Sequence, residues 1–540
     1  MVSVSASTED TQPLPPPADN PRAIGGNDTA DDESQQRKPI GLGSGVGIVL
    51  NQLIGSGIFS TPAFVVWYCK TPTMALVLWT LGAAISIGGG LGFVELGMMY
   101  PTNGGMMRYL TEAYPRPSHL LGFTFAWTII LFVRPASIAA GSTVFARYLV
   151  YAMAGGSSMP ERHPWVYEHR ETVYLVFAVL GTTGVALLNW SSTKWSLWCT
   201  NAITVGKVAL LLVIAATGLL VLLGVVETPE SAVNGWARGF AGSSLNPHDY
   251  ALALNKVFWA YEGWANLHYV AGEIHRPERN LPLSIGLGIS GVSVLYILAN
   301  IAYFSVVPID DAITSGEILG ARFTNMMFGT AVGEVLLPLC ISLFVLSTNI
   351  IYMYSGYHLV IAAYEMGYAT WVSKFLSVRT VTPTMSLLML WVLSTFLLVV
   401  LPPGNLFNLL VDMIQYPMWF FYGFTVLGCL VLERRFGQTQ QWPAFALIRR
   451  FRAPRVGCVA FAAVCLTLAV VQLWPPDSDG TSTPSDGNGG YPYYFVPVLG
   501  ICFFVATCVP WYFSMVKGSL QPVASSPPLS PVPSRPEGRE

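Results

Sequence analysis

Charge is scarce in this chain. Of its 540 residues only 11% are Asp, Glu, Lys or Arg, and the 28 cations and 30 anions nearly cancel to a net −2. Nucleic-acid recognition needs a concentrated basic face, so that class is excluded. The polar, acidic N-terminus lacks a charged n-region followed by an apolar h-region, so insertion into a membrane is expected to rely on the first apolar run. The eight cysteines, among them Cys69, Cys199, Cys340 and Cys429, lie nearly all in apolar runs without metal-ligand spacing and read as small buried hydrophobes. No Ser/His/Asp constellation, metal cluster or phosphate loop falls at membrane depth, so neither an enzyme, a metal nor a cofactor is expected.

Apolar residues are abundant, at 53% of the chain, and they come in stretches long enough to cross a bilayer. Twelve spans are expected, at about 40–66, 73–97, 119–153, 172–189, 199–226, 247–271, 281–307, 328–365, 384–401, 405–432, 456–474 and 491–514. The fold class is an all-α, multi-pass membrane protein. Residues 1–39 and 515–540, rich in Pro, Ser and acidic side chains, read as disordered tails. With the N-tail inside, loop cations such as Arg108, Arg116, Lys194, Arg276, Arg279, Arg434 and Arg435 collect on that side. Only Lys70, Arg162, Arg170, Arg238 and Arg322 remain opposite. Both termini are therefore expected in the cytoplasm.

Two spans are interrupted. The first holds Asn51-Gln52-Leu53-Ile54-Gly55-Ser56-Gly57-Ile58-Phe59-Ser60-Thr61-Pro62, and the sixth holds Val257-Phe258-Trp259-Ala260-Tyr261-Glu262-Gly263-Trp264. Hydrocarbon offers no partner to an unwound backbone, so a broken helix survives only where protein, water or a polar ligand satisfies it. Gly55-Ser56-Gly57 could also serve close helix packing. Pro62 and a second break five spans later favour a site. Breaks opening spans one and six divide the chain into five-helix halves, 40–226 and 247–432, of opposite orientation, with 456–514 as two additional helices.

The chemistry of such a site follows from helix ends. A half-helix starting after Gly55 points free N–H groups and its positive dipole end at the gap, which suits a carboxylate. The half-helix that stops there leaves carbonyls, which suit an ammonium group. A zwitterion fits better than a sugar or a lipid.

Gly55-Ser56-Gly57-Ile58-Phe59 with Pro62 resembles the GSGIF motif of the amino acid-polyamine-organocation transporters. Glu95-Leu96-Gly97 with Pro101 and Gly104-Gly105, Arg134-Pro135-Ala136-Ser137, and Glu273 with Pro277-Glu278-Arg279-Asn280-Leu281-Pro282 are similar to motifs of the family and its L-type branch, as are Ser347-Thr348-Asn349 and Arg452-Ala453-Pro454. The combination looks most like the fungal methionine permeases. The resemblance implies a LeuT-like 5+5 inverted repeat and amino acid transport by alternating access. Carried over by position, it puts the substrate at Leu53, Gly55, Ser56, Gly57, Trp259, Ala260, Tyr261, Glu262 and Gly263. The carboxylate would meet the amides of Ser56 and Gly57, the amine the carbonyls of Leu53, Trp259 and Glu262, and Trp259 would form an aromatic gate.

Lys207 lies deep in the fifth span, where a charge is costly and often functional. The resemblance implies that its ammonium replaces a sodium ion against the broken first helix; the plain alternative is a Lys that snorkels. Glu262 stands where many relatives carry a small residue. It either shifts preference toward cationic substrates, carries a coupling proton, or faces a watery vestibule. Glu95, Glu112 and Arg134 are expected in structural ion pairs. His268, His275 and His358 are given surface or helix-packing roles.

The expected function is a plasma-membrane permease for a neutral, sulfur-containing or bulky apolar amino acid, sodium-independent, with protons as coupling ion and the lipid bilayer as surroundings. Polyamine, choline or cationic amino acid carriage, or a transporter-like nutrient receptor, are the alternatives. The resemblance implies that members pairing with a disulfide-linked heavy chain carry a cysteine in the outer loop between the third and fourth spans; residues 154–171 contain none, so such a partner is not expected.

Overall fold

A computed structural model describes residues 38–154, 159–226, 236–315, 319–370, 381–401, 406–437, 451–471, 473 and 494–517. The N-tail to residue 37, the C-tail from 518 and several loop cations, among them Arg449 and Arg450, lie outside the described residues. The fold is all helical. The helices used below are α1 Leu42–Leu53, α2 Gly57–Cys69, α3 Pro72–Met99, α4 Met106–Ala113, α5 Leu120–Met153, α6 Arg170–Ser191, α7 Thr193–Leu222, α8 Pro247–Ala260, α9 Asn266–Tyr269, α10 Pro277–Val306, α11 Ala331–Glu365, α12 Pro383–Val400, α13 Leu406–Gly437, α14 Arg455–Val471 and α15 Phe495–Trp511.

Among the described residues nine helices are long and apolar enough to cross a membrane, and α1 with α2, bent by 42° at their break, make a tenth together. The sixth and eleventh expected spans fall on α8–α9 and on α14, which are shorter than that. A π-helical turn, Tyr512–Lys517, carries the last helix past residue 515, where the C-tail was expected to begin.

Helix ends follow local chemistry. Asn246 caps α8 by accepting from His248 N at 2.9 Å, with Pro247 in the first turn, where its missing N–H costs nothing. α3 stops at Met99 because Pro101 disfavours helical backbone at Tyr100, whose ψ is 75°. In α5 a π-turn at Ile129–Val133 directly precedes Arg134-Pro135, and in α11 another at Ala331–Leu336 precedes Pro338. Proline cannot donate to the carbonyl four residues back, so each helix widens by one residue there.

α5 and α11 pair along much of their length; α10 lies against α3, α1 and α7, and α8 against α2. The chain before α1 meets the chain after α9: Ile40 N donates to Glu273 O at 3.2 Å and His275 N to Ile40 O at 2.9 Å. The two interrupted spans are thereby tied at one end as well as at their breaks.

Candidate functional site

The first break is Ile54-Gly55-Ser56. Gly55 N turns back to Leu53 O at 2.8 Å, and α2 starts at Gly57 with no side-chain cap. Phe59 N bonds Ser56 O, whereas the amides of Ser56, Gly57 and Ile58 have no backbone acceptor among the described residues. The second break starts later than expected. Val257 to Ala260 form the last turn of α8, because they contain neither Gly nor Pro and bury Val257, Phe258 and Ala260. Unwinding begins at Tyr261, and Gly263 takes a φ of +120° that side-chain-bearing residues rarely adopt.

The breaks touch. A Cβ on Gly57 would meet Ala260 Cα at 3.0 Å and its Cβ at 3.1 Å, and one on Gly263 would meet Gln52 Cβ at 2.8 Å. Around them lies a partly open cavity, lined by Leu53, Gly55, Ser56, Gly57, Trp259, Ala260 and Glu262 from the broken spans, by Ser137 and Gly141 of α5, and by Thr348, Asn349 and Tyr352 of α11. Two of the expected contacts do not line it. Tyr261 is buried against Trp79 and Tyr296, with ring centroids at 5.9 and 5.2 Å, and Gly263 packs on Gln52.

Lys207 is fully buried. It does not snorkel: Nζ donates to Asn51 O of α1 at 2.8 Å and to Thr348 Oγ1 of α11 at 3.1 Å. Asn51 adds bonds from Nδ2 to Thr204 Oγ1 at 3.1 Å and Ser347 Oγ at 2.8 Å. A single cation on α7 thus joins the turn before the first break to α11.

Asn266, the first residue of α9, fixes the second break. Its Nδ2 donates to Gly263 O at 2.9 Å and Gln52 Oε1 at 3.4 Å, and its Oδ1 accepts from Arg134 Nη1 at 2.8 Å. Arg134 corrects an expectation: it is buried, with no carboxylate within salt-bridge distance among the described residues, and lies over the Tyr269 and Tyr352 rings at 5.3 and 5.0 Å. A carboxamide and two ring faces surround its guanidinium in place of a carboxylate. The ion pairs expected for the glutamates do exist, Glu95 with Arg455 at 2.8 Å and Glu112 with Arg108 at 2.9 Å. His268 is a core residue, bonded through Nδ1 to Tyr109 Oη at 3.0 Å. Glu262 lines the cavity, and its carboxylate accepts from Tyr422 Oη at 3.5 Å.

The sequence reading gave no role to Tyr296, Asn266 or Gln52. Asn266 and Gln52 carry a signal, since an amide at membrane depth is costly without partners. Tyr296, an aromatic in an apolar run, carries none. Its hydroxyl donates to Leu53 O at 2.5 Å and lies 3.1 Å from Ala260 O, touching the last carbonyl of both α1 and α8. Leu53 O, expected to meet a substrate amine, is therefore already bonded by Gly55 N and by Tyr296.

A family model described as amino acid permease matches residues 40–504, a stretch that contains both breaks and the cavity. The chain belongs to the amino acid permease family, within the amino acid-polyamine-organocation superfamily. It is similar to the b(0,+)-type amino acid transporter 1 of Homo sapiens, 28% identical over 401 residues that cover 74% of this chain and 76% of that protein. The cystine/glutamate transporter of Homo sapiens is 26% identical over 472 residues, 86% of each chain. The high-affinity methionine permease of Saccharomyces cerevisiae is 26% identical over 485 residues, 89% of this chain and 80% of that one. These relatives are named as transporters and permeases, and this family member is a transporter rather than an enzyme.

Proposed function

We propose that this permease carries a neutral, sulfur-containing or bulky apolar amino acid, methionine-like in size, across the plasma membrane by alternating access, with both termini cytoplasmic. One observation carries the reading: two interrupted spans meet at a cavity lined by Ser56 and Gly57 of one break, whose amides have no backbone acceptor among the described residues, and by Trp259, Ala260 and Glu262 of the other. The substrate carboxylate sits at the amides of Ser56 and Gly57, while the ammonium faces the carbonyl ends of α1 and α8 together with Trp259 O and Glu262 O. The side chain points between α5 and α11, where Ala140, Val144 and Val345 give an apolar wall.

Two inverted five-helix halves, 40–226 and 247–432, are the arrangement that fits best, in a LeuT-like fold completed by the helices of 456–514. Support comes from corresponding spans packing on one another: α3 on α10, α5 on α11 and α6 on α12. Lys207 supplies a fixed positive charge between α1 and α11, where a cation would otherwise be held, and this makes transport sodium-independent. Glu262 is the coupling group, taking a proton from outside and releasing it inside. With no cysteine in 154–171, the carrier works without a heavy chain linked by a disulfide in that loop. Glu262, an acidic residue among those lining the cavity, favours one second reading, a preference for cationic amino acids.

The test is competition of labelled methionine uptake by a panel of free amino acids and amines, at two pH values, with and without sodium. Bulky neutral amino acids should compete best, sodium should be dispensable, and uptake should be greater at the lower external pH. Competition by amines that lack a carboxylate, equal to that by amino acids, would overturn the zwitterion site.

A further inference from the structure

We propose that the face shared by α5, α6 and α12 holds a membrane phospholipid whose headgroup is zwitterionic and carries a primary amine. A second partly open cavity lies there, with no lining residue in common with the substrate cavity. It is lined by Thr143 and Arg147 of α5, by Glu171, Leu175 and Ala178 of α6, and by Leu398 and Leu401 at the end of α12. Spacings of three and four residues put the α5 pair on one face of its helix and the α6 residues on one face of theirs.

Depth decides the kind of ligand. Glu171 is the second residue of α6 and Leu401 directly follows α12, so the cavity begins where two spans end, while Ala178 lies two turns further in. Large apolar residues flank it on the surface: Val176 and Leu180 of α6 are 51% and 60% exposed, and Phe396 and Val400 of α12 are 57% and 58% exposed. In a membrane protein such stripes meet acyl chains. A ligand between them has a polar end near the interface and an apolar remainder along Leu175, Ala178 and Leu398, which is the form of a phospholipid and not of a free amino acid.

Charge decides the headgroup. Arg147 brings five donors in a planar fork that matches a phosphate, and Glu171 brings a carboxylate, which only accepts. Arg170, next in the chain to Glu171, stays 3.7 Å from it, too far for a hydrogen bond. An anionic headgroup would satisfy Arg147 and be repelled by Glu171, whereas phosphate and ammonium together suit both. A primary ammonium donates to a carboxylate and a quaternary one has no proton to give, so ethanolamine is preferred to choline. The lipid thus ties α6 and α12 to α5, the helix that lines the substrate cavity through Ser137 and Gly141.

The experiment uses full-length carrier purified in detergent, with phosphatidylethanolamine, phosphatidylcholine or phosphatidylglycerol added back, and counts bound lipid by native mass spectrometry. Wild type should retain phosphatidylethanolamine about fivefold over either of the others, the scale of a charge pair in a partly hydrated site. The two charged residues should fail differently. Arg147→Gln should lower retention of all three about tenfold or more, the scale of hydrogen bonds to a charged group, since each lipid offers it a phosphate. Glu171→Gln should keep total retention and erase the preference for ethanolamine; it decides alone if Arg147→Gln does not reach the membrane. Equal retention of the three lipids by wild type, or an ethanolamine preference that survives Glu171→Gln, overturns the site. Release of the bound lipid by free phosphoethanolamine or methionine as readily as by intact lipid would overturn it too, because a chainless ligand would then suffice, as would a copurifying protein on the α6–α12 face with no lipid retained.

Discussion

The two breaks that meet at the cavity are unlike in construction. The first is a gap of three residues, Ile54 to Ser56, followed by the 13-residue helix α2. The second is a gap of five, Tyr261 to Ala265, followed only by the four-residue α9. A helix dipole needs aligned peptides to build up, so the first break has a strong positive end and the second does not. What the second has instead is side-chain chemistry, with Glu262 in the cavity wall and Asn266 bracing the turn through Gly263, Gln52 and Arg134. In the proposed site, one break receives the substrate's carboxylate through the backbone, and the other meets the remainder of the substrate through side chains. Generic recognition and selectivity are divided between them.

That division is broken most severely at Gly57. A Cβ there would press on Ala260 Cα at 3.0 Å, beside the amides proposed to receive the carboxylate. Overpacking of about 1–3 kcal/mol translates into a loss of uptake for Gly57→Val on the order of a hundredfold at the upper end. It should strike every amino acid alike, with the protein still found in the membrane by surface labelling. A loss confined to some substrates would contradict a generic role for the first break.

Lys207→Ala ranks next. It takes the donor from Asn51 O, on the turn just before the first break, at 2.8 Å and from Thr348 Oγ1 of α11 at 3.1 Å. Hydrogen bonds to a charged group are each worth about 1.5–3 kcal/mol, so transport should fall about tenfold or more without loss of insertion. Partial recovery with added sodium would show that the ammonium stands in a cation's place; wild-type kinetics would reduce it to a packing residue.

How much of this was legible beforehand differs between the same two regions. The first break, read within Asn51–Pro62 with a half-helix starting after Gly55, lies at Ile54–Ser56, because Gly55-Ser56-Gly57 is a backbone signal that acts locally. In the second, unwinding begins after Ala260 and not at Val257, since the apolar run Val257-Phe258-Trp259-Ala260 satisfies a helix, and only Gly263 marks the stop. Lys207 could be found because a charge at depth announces itself, and its contact with the first span matched the family resemblance. Arg134 shows the opposite case. Its burial cost suggested a carboxylate partner, but Asn266 and two tyrosine faces supply the partners, and nothing local in the sequence brings α5 and α9 together. Tyr296 was invisible for the same reason: its role lies in two carbonyls, one of them 243 residues away.

The mildest and most selective change is expected at Glu262, where the second break carries its own charge. Among the described residues the carboxylate accepts one long hydrogen bond, from Tyr422 Oη at 3.5 Å, and the Arg134 guanidinium acts on it through space without forming a salt bridge. If it carries the coupling proton, it must be loaded before the substrate crosses. Wild-type uptake of a neutral amino acid then rises as external pH falls, because more carriers are protonated outside. Glu262→Gly removes the titrating group, so the pH profile should flatten while uptake driven by a substrate gradient alone persists. If the carboxylate instead selects a cationic side chain, the pH profile should stay and competition by cationic amino acids should weaken roughly fivefold, the scale of a ~1 kcal/mol charge interaction in a partly hydrated site. The two outcomes are separable in one set of uptake curves. A Glu262→Gly carrier with unaltered pH dependence and unaltered neutral-to-cationic ratio would make the second break as generic as the first, and the difference in their construction would then have no functional meaning.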